Sequence, residues 1–410
     1  MIRERTNAGR TERPVTDPVT DPETAPATSV SAPATPATPA TPAVPAVPAT
    51  PAVPAVPAPA PAPGDVVLAR TEGRAGYLTL NRPRALNALT HPMVTRIAEA
   101  LTAWERDPAV QTVVIDGAGE RGLCAGGDIR AIHQDVTSGG GAASRAFWRD
   151  EYALNARIAR FGKPYVALMD GIVMGGGVGV SAHGGVRIVT ERSRVAMPET
   201  TIGFVPDVGG TYLLSRAPGE LGTHLALTGA AVGAADALLC GLADHVVPSG
   251  LLPALARDLA AEPVADVLHR YAVEAPAGTL DGHREWIDHC YAADTVEEIV
   301  DRLMAAGEPA AKETAETLLA KSPTALKVTL AAVRRARALG SLERVLEQEY
   351  RVSCAALSCP DFVEGIRAQV IDKDRAPRWS PAGLAEVTDA EVARFFTPPR
   401  DGELRLADAL

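Results

Sequence analysis

Two acidic residues stand eight positions apart in a stretch that is otherwise apolar and rich in glycine. They are Glu199, in Ala196-Met197-Pro198-Glu199, and Asp207, in Pro206-Asp207-Val208-Gly209-Gly210-Thr211. Carboxyl groups in such surroundings suit acid–base or nucleophilic work, because burial raises their pKa values and proximity couples them. Each also has a plain structural reading, as a first-turn glutamate after Pro198 and as an aspartate capping the next helix. A third acidic residue, Glu151, falls in a helical pattern over residues 147–161 and by itself reads as a charge on a solvated face.

Two glycine-rich loops supply complementary chemistry. The first is Leu123-Cys124-Ala125-Gly126-Gly127-Asp128-Ile129 and the second runs from Gly171 to Gly179. Each places a side-chain-poor turn ahead of an apolar helical stretch, so backbone N–H groups point outward near a positive helix end. At the ends of neighbouring strands, two such loops aim two N–H groups at one oxygen, which is how an oxyanion hole is built. Taken singly, either loop is equally a turn that needs glycine for a positive φ. The second is not a dinucleotide fingerprint: counted from Gly175, the G-x-G-x-x-G pattern needs a glycine where Val180 stands.

The elements that must position these groups alternate. Residues 66–69 and 77–80 read as short strands around a Glu72-Gly73-Arg74 turn. Met93, Val94, Ile97, Leu101 and Trp104 recur at helical spacing between His91 and Arg106. Residues 112–115 and 164–169 are continuous apolar strands of the kind buried on both faces, and 186–189 is a further strand. Strand–helix repetition implies right-handed crossovers in an α/β fold. Beyond about Leu251 strand signals thin out, and residues 325–339, 342–357 and 361 onward read as helices. The expected organisation is a tail over residues 1–64, a core over 65–255 and a helical extension over 256–410.

Sixteen of the 34 prolines fall in residues 1–64, and from Pro33 to Pro57 they recur at every third position. That is the polyproline II period, and the segment lacks the apolar bulk to offset its ordering entropy. A disordered or semi-stiff tail is expected, with a docking arm for a proline-binding partner as the alternative. The formal net charge of −10 argues against nucleic acid or anionic membrane as a partner, while leaving room for an anionic ligand at a local basic cluster. No apolar run reaches the roughly 18 residues needed to span a bilayer. The five cysteines are too scattered for a disulfide framework or a zinc site, which fits a reducing cytoplasm.

Taken together, the motifs resemble the crotonase (enoyl-CoA hydratase/isomerase) superfamily. The resemblance rests on Asn81-Arg82-Pro83-Arg84-Ala85-Leu86-Asn87-Ala88-Leu89, the Cys-Ala-Gly-Gly-Asp loop, the Met-Gly-Gly-Gly loop, Leu227-Thr228-Gly229 and Gly241 to Val247, in that order. It implies a spiral of ββα turns closed by helices, and is compatible with a homo-oligomer. It also implies an acyl-CoA substrate, with the thioester oxygen held by the N–H groups of Gly127 and Gly176. Arg84 and Ala125 would lie on the coenzyme A side. Coenzyme A would arrive as part of the substrate, with no permanently bound cofactor and no metal.

Hydratases of this superfamily use two glutamates twenty residues apart, and here the two positions hold Gly179 and Glu199. A glycine transfers no proton. The 3-hydroxyisobutyryl-CoA hydrolase branch is the better match, through Met174 to Gly179, Met197-Pro198-Glu199-Thr200 and Gly203-Phe204-Val205-Pro206-Asp207-Val208-Gly209-Gly210. The extension carries Phe362-x-Glu364-Gly365-Ile366-Arg367 and Asp372-Lys373-Asp374-Arg375-x-Pro377-x-Trp379, which are similar to that branch too. What this resemblance implies is hydrolysis of a short 3-hydroxyacyl-CoA, as in valine degradation. Glu199 would attack the carbonyl or activate a water, Asp207 would orient the hydroxyl or the water, and Glu151 would contact the substrate. The rivals are a hydratase or isomerase of the same fold and a non-catalytic acyl-CoA binding protein.

Overall fold

The computed structural model describes residues 65–409, so the reading of residues 1–64 as a tail lies outside the described residues. Among the described residues there are eight strands: β1 (Val67–Glu72), β2 (Ala75–Leu80), β3 (Thr112–Gly117), β4 (Tyr165–Met169), β5 (Ile172–Met174), β6 (Val186–Val189), β7 (Arg194–Ala196) and β8 (His245–Val246). Six form one sheet in the order β1-β2-β3-β4-β6-β8, antiparallel between β1 and β2 and parallel thereafter. The apolar runs of β3 and β4 are buried, as a parallel sheet covered on both faces requires. β5 and β7 form a second, two-stranded parallel sheet.

Succession of β4, β5 and a short helix, then of β6, β7 and a 3₁₀ turn at Glu199–Ile202, gives the ββα repeat of a crotonase spiral. The members of the second sheet are three residues long, too short to show an alternation in sequence. That is why the Gly171–Gly179 segment reads as a loop and residues 194–196 carry no strand signal.

Four helices frame the glycine loops: α1 (His91–Arg106), α2 (Ile129–Gly139), α3 (Ala142–Ala159) and α4 (Gly176–Gly179). α1 buries Met93, Val94, Ile97, Ala100, Leu101 and Trp104, the stripe expected from its spacing. α3 begins five residues earlier than the apolar pattern at Phe147 suggests. Its first turn has no apolar stripe and is tied instead to α2, where Asp135 accepts hydrogen bonds from the Ser144 N–H and hydroxyl, both at 2.7 Å.

Beyond residue 251 the chain is helical, including Pro323–Leu339, Leu342–Ala356 and Pro360–Ile366. From Leu280 onward this part joins the larger apolar cluster, which spans Val67 to Leu404, while Leu252, Leu255, Leu259 and Val267 pack with Tyr77, Val114 and Val166 in a second cluster on the other face of the sheet. Among the described residues, no helix is long and apolar enough to cross a membrane.

Candidate active site

The two glycine loops are clamped side by side by backbone pairing. Cys124 N–H donates to Ile172 O at 3.1 Å and Met174 N–H donates to Cys124 O at 2.9 Å, joining the first loop to β5. On its other side that loop is held by Leu89, which donates to Gly126 O and accepts from Asp128 N–H, both at 2.8 Å. The N–H of Gly127 lies between these two bonds and donates to no backbone acceptor among the described residues. Gly176 opens α4, so its N–H is one of those left without an intrahelical acceptor. A methyl group built on Gly176 would sit 3.3 Å from Gly127 N, so the two amides face one small space.

That space is a cavity of about 260 Å³ lined by Ala125, Gly127, Gly176, Glu151, Glu199 and Asp207, with Trp148, Phe204 and Phe362 among its apolar walls. Trp148 stacks on Phe204, and Phe204 on Phe362, at centroid distances of 5.6 and 4.6 Å. Phe362 belongs to the carboxyl-terminal helices, which therefore complete the cavity.

Glu199 begins the 3₁₀ turn after Pro198, as its plain reading has it, and still faces the cavity: its Oε1 lies 2.8 Å from where a Gly175 Cβ would be. Its other oxygen is buried with no hydrogen-bond partner. Burial first, and then the charge of Asp207, holds this carboxyl well above the usual glutamate range. Lys321 is a nearby cation, 7% exposed, which donates to Thr201 Oγ1 at 2.8 Å. Burial lowers its pKa to about 8, against the attraction of Glu199.

The solvated-face reading of Glu151 is wrong. The residue is 2% exposed, its Oε1 has no partner, and that oxygen lies 2.8 Å from the place of a Gly176 Cβ. α3 is covered on more than one side, by α1, α2 and the Leu342–Ala356 helix, so a position that looks solvated on an isolated helix is internal here. Desolvation raises the Glu151 carboxyl far above its ordinary value, with Asp207 adding to the effect.

Asp207 does not cap the following helix, whose N-cap is Gly209. Its side chain instead accepts the Tyr152 hydroxyl at 2.6 Å, and Ser353 Oγ lies 2.7 Å from the same phenol oxygen. Burial pushes the Asp207 carboxyl up to about 7, while the Tyr152 bond pulls the other way. The backbone around it is tightly turned: Val208 has φ 52° and Gly209 φ 80°. For a β-branched residue such a φ is costly and must be held by its surroundings. His183 Nε2 contacts Val208 O at 2.7 Å, and burial keeps that imidazole neutral by lowering its pKa to about 4. It therefore donates to the carbonyl from the Nε2 tautomer. Glu349 accepts from Gly209 N–H at 2.6 Å, Thr211 N–H at 2.9 Å and the Thr211 hydroxyl at 2.6 Å.

Tyr152, Ser353, Glu349 and Lys321 were not singled out from sequence, and only Tyr152 carried a signal, as the neighbour of Glu151. Gly179 lies against Val208 and Asn155; a Cβ there would come within 2.7 Å of Val208 Cβ and 2.9 Å of Asn155 Nδ2. The position at which hydratases carry their first glutamate is thus filled by neighbours.

Arg84 is placed apart from these groups. It is exposed, on a 3₁₀ turn at Pro83–Ala85, and lines a separate depression of about 390 Å³ with Glu120 and Arg121. Arg121, also missed, donates to the carbonyls of Pro83 and Arg84 at 2.9 and 3.1 Å. Asn87 pins the turn, donating to Ala118 O and Gly122 O, while Leu86 O takes the N–H of Ala125 at 3.0 Å. Ala125 thereby connects the Arg84 side to the cavity. Among the described residues, no group of three or more His, Cys, Asp and Glu side chains is arranged to hold a metal ion.

A family model described as "Enoyl-CoA hydratase/isomerase" matches residues 75–396. The chain belongs to the enoyl-CoA hydratase/isomerase family. Within the family it is 45% identical to the mitochondrial 3-hydroxyisobutyryl-CoA hydrolase of Gallus gallus over 351 residues, covering 83% of this chain and 91% of that protein. The human protein of the same name is 42% identical over 350 residues, with 83% and 90% covered. Among solved structures of the family, a carnitinyl-CoA dehydratase from Mycobacterium thermoresistibile superposes with a TM-score of 0.81 at 56% identity, covering 83% of this chain and 99% of that one. An enoyl-CoA hydratase from Rhodobacter sphaeroides 2.4.1 gives 0.78 at 45% identity, with 83% and 100% covered.

Proposed function

We propose that this protein hydrolyses the thioester of a short 3-hydroxyacyl-CoA, of the 3-hydroxyisobutyryl-CoA type found in valine degradation. The observation that carries this reading is the paired-glycine cavity with its two partnerless carboxylate oxygens, on Glu151 and Glu199, beside a position 179 with no room for a third. Hydration across a double bond by the two-glutamate route pairs a carboxylate at position 179 with Glu199, and here that first member is missing. Acyl transfer to water needs an oxyanion site and one base or nucleophile.

In this reading the thioester oxygen accepts from Gly127 and Gly176 N–H, and these donors stabilise the tetrahedral oxyanion. Glu199 either attacks the carbonyl, expelling the coenzyme A thiolate and leaving an acyl-glutamate anhydride that water then cleaves to the free acid and the restored carboxylate, or draws a proton from a water whose oxygen forms the C–O bond as the C–S bond breaks. In both cases the thiolate takes up a proton. Asp207 orients the 3-hydroxyl or the water, and Glu151 accepts from the substrate hydroxyl. Ala125 and Arg84 mark the route of the coenzyme A moiety. Relatives named hydrolases, at 42–45% identity over more than four-fifths of the chain, support the assignment.

A second reading, dehydration or hydration at the same site, is favoured by the solved structure titled a carnitinyl-CoA dehydratase. One experiment separates the two. Thiol release is followed from 3-hydroxyisobutyryl-CoA, 3-hydroxypropionyl-CoA and crotonyl-CoA, with enoyl absorbance read in parallel. Thiol released from the hydroxyacyl esters alone is expected, and Glu199→Gln should abolish it while acyl-CoA binding persists. Change in enoyl absorbance without free thiol, or an active Glu199→Gln enzyme, would sink the hydrolase assignment.

A further inference from the structure

A second hollow, of about 250 Å³, adjoins the acyl cavity and opens to the surface past the exposed Pro92, Ala131 and Ala143. It is bounded by the entry to α1 (Leu89, Thr90, Pro92), by α2 and by the start of α3. Only Phe147 and Ile132 line both spaces, and they are 7% and 5% exposed. The Phe147 ring lies close over the oxyanion loop, with Cε1 3.6 Å from where a Gly127 Cβ would be. On its far side His91 meets it edge-on, with ring centroids 6.2 Å apart, and is itself held by Asp150 at 2.6 Å. The carboxylates bordering the second cavity are already engaged, Asp128 by Arg82 at 2.9 Å and Asp135 by Ser144 at 2.7 Å. What remains as lining is chiefly apolar, so the space suits alkyl carbon better than a polar group.

We propose that Phe147 is the residue that fixes acyl length. It closes a channel that would otherwise continue past Gly127 between α2 and α3, and straight-chain 3-hydroxyacyl esters of six to eight carbons are the substrate class it shuts out. This rests on the hydrolase reading above. The ring is the larger part of the partition, and its removal joins two spaces of nearly equal size. An acyl chain anchored by its thioester oxygen at Gly127 and Gly176 would then run on into the second cavity.

The test uses the full chain as wild type, Phe147→Ala, Phe147→Leu and Phe147→Ala/Ala131→Leu, the last refilling the second cavity from α2. Thiol release is measured from 3-hydroxyisobutyryl-, 3-hydroxyhexanoyl- and 3-hydroxyoctanoyl-CoA. Binding of the matching thioether analogues, which cannot be hydrolysed, is measured by calorimetry. Opening the channel should raise the ratio of kcat/KM for the eight-carbon ester over 3-hydroxyisobutyryl-CoA by roughly tenfold or more, since each methylene in an apolar pocket is worth about 10-fold or more in discrimination. The leucine variant should fall between, and the double variant should revert. Variants that bind and turn over every chain length in the wild-type proportion would overturn the proposal. Wild type that binds the analogues but releases thiol from none of the esters would instead defeat the hydrolase reading, and the analogue affinities would still decide whether Phe147 sets length.

Discussion

Replacing Tyr152 by Phe removes one oxygen and leaves the aromatic packing in place. In the native protein that hydroxyl donates to Asp207 Oδ2 at 2.6 Å, and Ser353 Oγ supports it from the other side at 2.7 Å. Tyr152 and Ser353 are 0% and 1% exposed, and Asp207 is 7% exposed, so water cannot readily take the place of the lost donor. The bond favours the ionised carboxylate, opposing the burial that pushes Asp207 up to about 7. A hydrogen bond to a charged group contributes about 1.5–3 kcal/mol, and one pH unit corresponds to about 1.36 kcal/mol. Loss of the hydroxyl should therefore raise the Asp207 titration by about one to two units. If ionised Asp207 is the active form, the acid limb of kcat/KM moves upward by the same amount. Activity at pH 7 then falls roughly five- to fiftyfold and recovers as pH rises. The assay is the pH profile of kcat/KM on 3-hydroxyisobutyryl-CoA, read by loss of the thioester absorbance. Ser353→Ala should move the limb in the same direction by less. A Tyr152→Phe enzyme with the native limb and a uniform loss at all pH values would show that the tyrosine only packs, and would refute the argument.

Two further substitutions test the groups around this network. Gly179→Glu restores the hydratase carboxylate in sequence but drives its Cβ to within 2.7 Å of Val208 Cβ; overpacking of this kind costs about 1–3 kcal/mol. A lower thermal midpoint is expected, with no gain of crotonyl-CoA hydration, and a stable, hydrating variant would contradict the crowding argument. Glu349 is pushed by burial from its ordinary value of 4.5 to about 8, so between those values the folded state holds a proton that the unfolded state has released. Its contribution to stability is present below about pH 4.5 and is lost as pH rises through about 8. In Glu349→Gln the fall in stability between pH 5.5 and 8.5, measured by urea denaturation, should be shallower by at least ~1 kcal/mol; parallel curves for the two proteins would contradict this.

Features set by local pattern could be read from sequence, and features set by long-range packing could not. The runs at Thr112–Gly117 and Tyr165–Met169 and the stripe of His91–Arg106 carry their periodicity in one stretch of chain. The glycine loops and the Glu199/Asp207 pair are likewise local in composition. Tyr152 meets Ser353 across 201 positions, and Glu349 reaches Gly209 across 140; nothing in either neighbourhood of the chain reports such a contact.

Glu151 marks the boundary between the two cases. Its helical spacing was correct, but burial on a second helix face is a property of what packs there, and those partners lie on α1, α2 and the carboxyl-terminal helices. The same reasoning explains why the helical extension belongs to the site. It supplies Phe362 to the cavity wall, Ser353 to the Tyr152 hydroxyl, Glu349 to the strained turn after Asp207, and Lys321 to Thr201 beside Glu199. The ββα core provides the two paired glycine loops and Glu199. The extension buttresses the groups around it, Ser353 at the Tyr152 hydroxyl that bonds Asp207 and Glu349 at the turn that follows, so the later part of the chain holds the site as much as the ββα core does.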